Sequence, residues 1–156
     1  MRRAQEADRT AVEQIVHDAY EPWIEIVGMR PMPMEADYAA LIAAGHVHVM
    51  DGLEGLIVLV PEDGVLLVDN VAVRPELHGK GLGRGLLAYA EQEARRLGLP
   101  ALRLYTNVRM TSNIALYTAL GYVETGREEL TGGRAAVLMR KELTQEPEQP
   151  EEPGWP

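Results

Sequence analysis

Three glycines alternate at positions 79, 81 and 83 in the run His78-Gly79-Lys80-Gly81-Leu82-Gly83-Arg84. An apolar, β-branched stretch from Val65 to Val73 precedes the run and ends at Arg74-Pro75. An apolar helical period follows it, at Leu82, Leu86, Ala90, Ala94 and Leu97. This pattern predicts a strand feeding a glycine loop that opens a helix. The first N–H groups of a helix lack intrahelical partners and sit at the positive end of its dipole, so they bind anions. Glycine lets a diphosphate come close to the backbone without meeting a Cβ. Two further features could do chemistry near such a loop. Asp69, a carboxylate, precedes Asn70 in the strand, and Asn113 and Tyr117 stand four residues apart on one predicted helix face.

Two familiar phosphate loops fail on residues. A P-loop needs a hydroxyl after its lysine, and Lys80 is followed by Gly81. The dinucleotide fingerprint needs a third glycine where this chain has Arg84 or Leu86, counting from Gly79 or Gly81. The next predicted strand, Ala101 to Thr106, also lacks an acid to grip a ribose.

The elements around the loop read in the order β-α-α-β-β-β-α-β-α-β-β. Arg2 to Ala4 is a short strand, and Asp8 is the expected cap of a helix with apolar positions at Val12, Ile15 and Val16. Pro22 starts a second helical piece that Gly28 stops, residues 29–34 form an extended loop, and a short helix runs from Asp37 to Ala44. Asp51-Gly52 and Pro61 to Gly64 turn an antiparallel meander, and Ala101 to Thr106 follows a helical crossover that makes it parallel to the strand before the loop. Thr111 opens a helix ending at Gly121, and a last hairpin crosses Thr131-Gly132-Gly133. Residues 1–143 are therefore expected to be one domain, and 144–156 a disordered, acidic, Pro-rich tail.

Four stretches together resemble the GCN5-related N-acetyltransferase (GNAT) superfamily. They are Asp69 to Pro75, the glycine loop, Leu104-Tyr105-Thr106-Asn107, and Asn113 to Tyr122, which matches the family's Asn-x-x-Ala-x-x-Leu/Tyr-Tyr-x-x-x-Gly-Phe/Tyr pattern. His78 stands where the family usually has Gln or Arg. The resemblance implies an α+β fold: a mixed, mostly antiparallel sheet of six or seven strands flanked by about four helices. It implies acetyl-CoA as co-substrate and transfer of an acetyl group to a primary amine, with a small molecule as the expected acceptor. Val71, Ala72 and Val73 would pair with the cofactor arm through backbone groups. His78, Gly79, Lys80, Gly81, Leu82, Gly83 and Arg84 would hold the pyrophosphate, and Asn113 would contact the arm. Tyr117 would protonate the departing thiolate and Asp69 is the nearest candidate base. A catalytically silent acyl-CoA-binding module and a protein N-terminal acetyltransferase stay open as alternatives.

Composition bounds the partners. Cysteine is absent, which removes disulfides, thiolate metal sites and a cysteine acyl carrier and fits a cytoplasmic setting. No apolar run is long enough to span a bilayer, and the N-terminus has no secretory h-region. The net charge of −9 argues against nucleic acid and favours encounter with a cationic amine. A homodimer is left open. His46 and His48 share one strand face; without a third ligand they read as a solvated face and no metal is expected. Tyr20, Trp23, Met29, Arg30 and Tyr38, with the last hairpin, are the candidates for the acceptor site.

Overall fold

The computed structural model describes residues 1–144, so the expected tail lies, but for Thr144, outside the described residues. The strands are β1 (Arg2–Arg3), β2 (Val47–Val49), β3 (Gly55–Glu62), β4 (Val65–Val73), β5 (Ala101–Asn107), β6 (Val123–Glu129) and β7 (Ala135–Glu142). The helices are α1 (Arg9–Tyr20), α2 (Trp23–Val27), α3 (Tyr38–Ala43), α4 (Leu82–Arg96) and α5 (Thr111–Ala119). All seven strands form one sheet in the order β1-β2-β3-β4-β5-β7-β6. Every pairing is antiparallel except β4 with β5, which α4 joins as a crossover. This is the expected α+β architecture. No described helix is long and apolar enough to cross a membrane.

Strand alternation sorts the apolar residues into two cores. Val47, Val49, Leu56 and Val58 pack with Val12, Ile15 and Val16 of α1. Ile57, Leu59, Leu66, Val68, Leu102 and Leu104 pack with Leu86, Leu87, Ala90 and Ala94 of α4 and with Tyr117 of α5. Helices therefore cover both faces of the sheet.

β4 does not keep its parity. Leu66 and Val68 face α4, yet Ala72 faces α1. The reason is a bulge: Val58 opposes Asn70 and Leu59 opposes Val68, which leaves Asp69 as an extra residue without an opposite number. The parallel pairing of β4 with β5 stops at the same place, at Val68 with Leu104, although both strands run on. The two strands splay apart from there.

Local chemistry departs from expectation in two turns. Asp8 does not cap α1. Its carboxylate takes hydrogen bonds from Arg2 at 2.7 and 3.0 Å and from the Gln5 N–H at 2.8 Å, which hold its pKa down to about 2. The guanidinium outcompetes the helix N–H groups. In the β2–β3 connection Leu53, not Gly52, takes the left-handed conformation, with φ 57. Met50 N–H bonds Gly55 O at 3.0 Å and Leu53 N–H bonds Met50 O at 2.8 Å, so the loop is longer than a two-residue turn. Elsewhere Gly28 ends α2 with φ 85, as expected, and Asp37, expected as the first residue of α3, instead caps it through the Ala40 N–H.

Gly55 is where β3 must come close to the bulged strand. A Cβ there would stand 2.9 Å from the Ala72 carbonyl, a backbone atom that cannot swing away. Gly55→Ala is expected to cost about 1–3 kcal/mol, an overpacking penalty. Tm should fall by about 2–4 °C per kcal/mol. An unchanged melting curve would show that the β3–β4 spacing relaxes freely.

Candidate active site

The splay leaves β4 with polar backbone groups that no strand satisfies. Arg74 N–H bonds Glu54 O at 3.0 Å, so Asn70, Ala72 and Arg74 turn their N–H and C=O toward β3 and its approach. Val71 and Val73 therefore turn theirs into the gap. The Val71 carbonyl accepts from Tyr20 O–H at 3.1 Å and the Val73 carbonyl from His78 Nε2–H at 2.9 Å.

Two cavities meet in this gap. One is an open groove of about 320 Å³, lined by Val71, Ala72, Val73, Leu77 to Gly79, Gly81 to Arg84, Leu116 and, from α1 and α2, Ala19 and Trp23. The other is a more enclosed chamber of about 50 Å³. Its walls are Pro31 to Pro33, Val68 to Val71, Tyr105 to Asn107, Met110 and the hairpin residues Leu130 and Arg134 to Ala136. Tyr20, Val71, Asn113 and Tyr117 line both.

The groove has the chemistry of an anion site at the loop end. Gly79 and Gly81 adopt φ 80 and 79, which other residues take only under strain. Gly83 is already helical, and no atom lies within 4 Å of a Cβ placed on Gly79, Gly81, Gly83 or Gly85. The glycines therefore leave space that the fold itself does not fill. The leading N–H groups of α4 open onto that space, with Arg84 in the wall.

The chamber end is built from hydroxyls and one carboxylate. Tyr20 O–H donates to Asn70 Oδ1 at 2.5 Å, Asn70 Nδ2 donates to Tyr38 Oη at 3.0 Å, and Tyr38 O–H donates to Pro33 O at 2.5 Å. This chain ties α1, the loop before α3 and β4 together through a buried asparagine. Burial pushes the Tyr20, Tyr38 and Tyr105 hydroxyls above the usual phenol range. Asp69 Oδ1 accepts from Tyr105 O–H at 2.7 Å. Tyr117 is 9% exposed, packs edge-on against Tyr122 and is pushed up to about 12 by burial.

The glycine loop, the splayed strand and the Asn113–Tyr117 helix face thus converge on one gap. The Acetyltransferase (GNAT) family matches this chain over residues 12–122. The chain belongs to the GNAT acetyltransferase family. It is similar to the IAA acetyltransferase of Azospirillum brasilense, 40% identical over 72 residues, covering 46% of this chain and 47% of the relative. It is also similar to the S-(2-succino)cysteine N-acetyltransferase of Bacillus subtilis (strain 168), 35% identical over 74 residues, with 46% and 45% covered. The chain thus spans about half the length of these curated relatives. The fold is shared with the ribosomal-protein-S18-alanine N-acetyltransferase of Escherichia coli, with TM-score 0.69, 20% identity and 94% of each chain covered. It is shared too with the PaiA N-acetyltransferase of Thermoplasma acidophilum in complex with coenzyme A, with TM-score 0.68, 18% identity and 91% and 97% covered.

The predicted site residues fall within this frame with one exception. Val71, Ala72, Val73, His78, Gly79, Gly81, Leu82, Gly83, Arg84 and Asn113 all line the groove, whereas Lys80 is exposed and lines neither cavity. Asp69 lines the chamber, bonded to a tyrosine and not to an arginine. Among the acceptor candidates, Tyr20 is shared, Trp23 belongs to the groove, and Arg30 contributes its carbonyl to Arg134. Tyr105, Asn107, Met110 and Arg134 were missed; the odd-numbered alternation of Tyr105 with Arg103 on β5 was the available signal for the first. His48 is not on a solvated face: it is 5% exposed, shares a 2.7 Å hydrogen bond with Tyr89 Oη, and burial lowers its pKa.

Gly83 separates a binding role from a folding one. Gly83→Ala adds a methyl to open space at a helical position and should stabilise the fold by up to about 1 kcal/mol. Coenzyme A affinity, read by titration calorimetry, should nevertheless fall about tenfold or more, since the methyl enters the cradle. Undiminished affinity would assign Gly83 to the turn alone.

Proposed function

We propose that this chain transfers an acetyl group from acetyl-CoA to the primary amine of a small molecule, by direct attack with both substrates bound. The observation that carries this reading is the meeting of groove and chamber at the β4–β5 gap, with Tyr117 in the wall of both. A donor in the groove and an acceptor in the chamber share one opening there. Both curated relatives are named as acetyltransferases, and one is named for S-(2-succino)cysteine, a small molecule.

Acetyl-CoA supplies an activated acetyl thioester. The N–H groups at the start of α4 and Arg84 would hold its phosphates, and Val71 and Val73 would offer their gap-facing backbone groups to its amide arm. Asp69 attracts the acceptor ammonium and takes up its proton, directly or through water, and the Tyr105 O–H orients the receiving carboxylate. The chain has no cysteine to carry an acyl group, which favours direct attack over a thioester on the enzyme. Tyr117 donates its proton to the leaving thiolate. A thiolate of the cysteine type is basic near 8.5, so a phenol held up to about 12 stays protonated while negative charge develops on sulfur.

Three measurements check this reading. Coenzyme A or acetyl-CoA should raise Tm by mass action, and NAD should not; equal stabilisation by NAD would remove the groove assignment. Tyr117→Phe keeps the ring and its contact with Tyr122 but loses the donor. Its kcat for an accepted amine should fall about 10²-fold or more, with Tm and acetyl-CoA affinity little changed. Wild-type turnover in that variant would take Tyr117 out of the mechanism. Raising pH from neutrality should not deprotonate Tyr117 until about 12, so its titration should cause no alkaline loss of kcat below that.

A further inference from the structure

The chamber is walled by two segments far apart in the chain, Pro31 to Pro33 and, from the last hairpin, Leu130 with Arg134 to Ala136. One side chain joins them. Arg134 Nη2 donates to the Arg30 carbonyl at 2.8 Å and to Glu35 Oε2 at 3.2 Å. The Arg134 side chain is 12% exposed and that of Glu35 53%, so the contact is charge-assisted, shielded at its arginine end and open to solvent at its carboxylate end.

The space beneath is small. A buried water needs roughly 10–15 Å³, so about 50 Å³ takes about three to five water-sized groups. Past Asp69 and Tyr105 the chamber continues into a mouth of about 280 Å³, again lined by Arg134, with Met32, Glu35 and Tyr38. Each residue of an extended polypeptide occupies about 3.3–3.6 Å of path and brings backbone groups that need partners. A chain end reaching Tyr117 through this mouth would have to run where the Arg134 contacts stand. Arg134 faces Glu35, whereas Asp69 accepts from the neutral Tyr105 hydroxyl, so the charge turned toward an acceptor is negative.

We propose that Arg134, clasped across the chamber to Arg30 and Glu35, is a specificity-determining residue that admits small-molecule amines and shuts out polypeptide chain ends. The proposal rests on the N-acetyltransferase reading above. Cutting the clasp opens the roof between the hairpin and the loop before α3 and lets a larger acceptor reach the gap.

The test compares kcat/KM, by thiol release, for n-butylamine and a free amino acid against an alanyl tetrapeptide. It uses the wild-type chain, Arg134→Ala and Glu35→Ala. The wild type should prefer the better small amine strongly. Arg134→Ala should raise the peptide-to-small-amine ratio about tenfold, roughly the worth of one charge-assisted hydrogen bond, and Glu35→Ala should raise it in the same direction by less. Glu35→Ala removes the ion pair from the exposed side, leaves the bond to the Arg30 carbonyl, and carries the test if Arg134→Ala fails to fold. A wild type that takes the peptide as readily as the small amines, or a ratio that moves in neither variant, overturns the clasp while leaving the acetyltransferase reading intact. Absence of thiol release with every amine, despite stabilisation by coenzyme A, overturns both.

Discussion

A strand that leaves its parallel neighbour must find other partners for its N–H and C=O groups, and β4 does this beyond Val68. The bulge at Asp69 re-aims the strand at the point where pairing ends. It turns Asn70 to the α1 side, where its amide meets Tyr20 and Tyr38, and turns the backbone of Val71 and Val73 into the gap. Two carbonyls are met by Tyr20 and His78, and the remaining polar groups are those a bound amide arm could pair with. A fully paired β4–β5 ladder would be more stable and would have no site. The gap exists because the two sheet halves are anchored elsewhere, by β3 against β4 and by β7 against β5.

The tyrosines around the gap show which physical term dominates there. Burial, not a neighbouring charge, is the leading cause of the raised pKa at Tyr20, Tyr38, Tyr105 and Tyr117. Low dielectric keeps these phenols neutral and makes each of their hydrogen bonds stronger than it would be in water. The same desolvation makes an unpaired buried amide expensive, by about 1–3 kcal/mol, which explains why Asn70 is tied at both ends. The Tyr20–Asn70–Tyr38–Pro33 chain therefore fixes the loop before α3, and so the chamber wall, relative to the strand that bounds the groove.

Much of this was legible in the residue order because it depends on local chemistry. Alternating glycines, a strand before them and a helical period after them define the loop without reference to the rest of the chain. The Asn113 to Tyr122 pattern likewise places two side chains on one helix face. What was not legible depends on register and on distant contacts. Nothing in Val-Asp-Asn-Val marks Asp69 as the extra residue; that follows only from its pairing with β3. Asp8 looked like a cap because the pull of Arg2, on another element, is invisible in a linear reading. Arg134 lies 99 residues from Glu35, so a turn arginine could not be read as the roof of a chamber.

Net charge and the proposed donor at first seem at odds, since a chain of −9 would bind a polyanion. The magnitudes remove the conflict. At physiological salt, charges more than about 8 Å away are largely screened, so the acidic surface slows encounter but contributes little at the loop itself. What the loop presents locally is positive: the unpaired N–H groups and dipole end of a fifteen-residue helix, with Arg84 beside them. The glycines let an anion reach those groups at hydrogen-bonding distance, where the interaction is strongest. The chamber is built the other way, with the Asp69 carboxylate set among neutral phenols, which in the proposed reaction would draw an ammonium. The proposed site thus sets an anion-accepting end apart from a carboxylate-bearing end by the width of one splayed strand, and Tyr117 lines both.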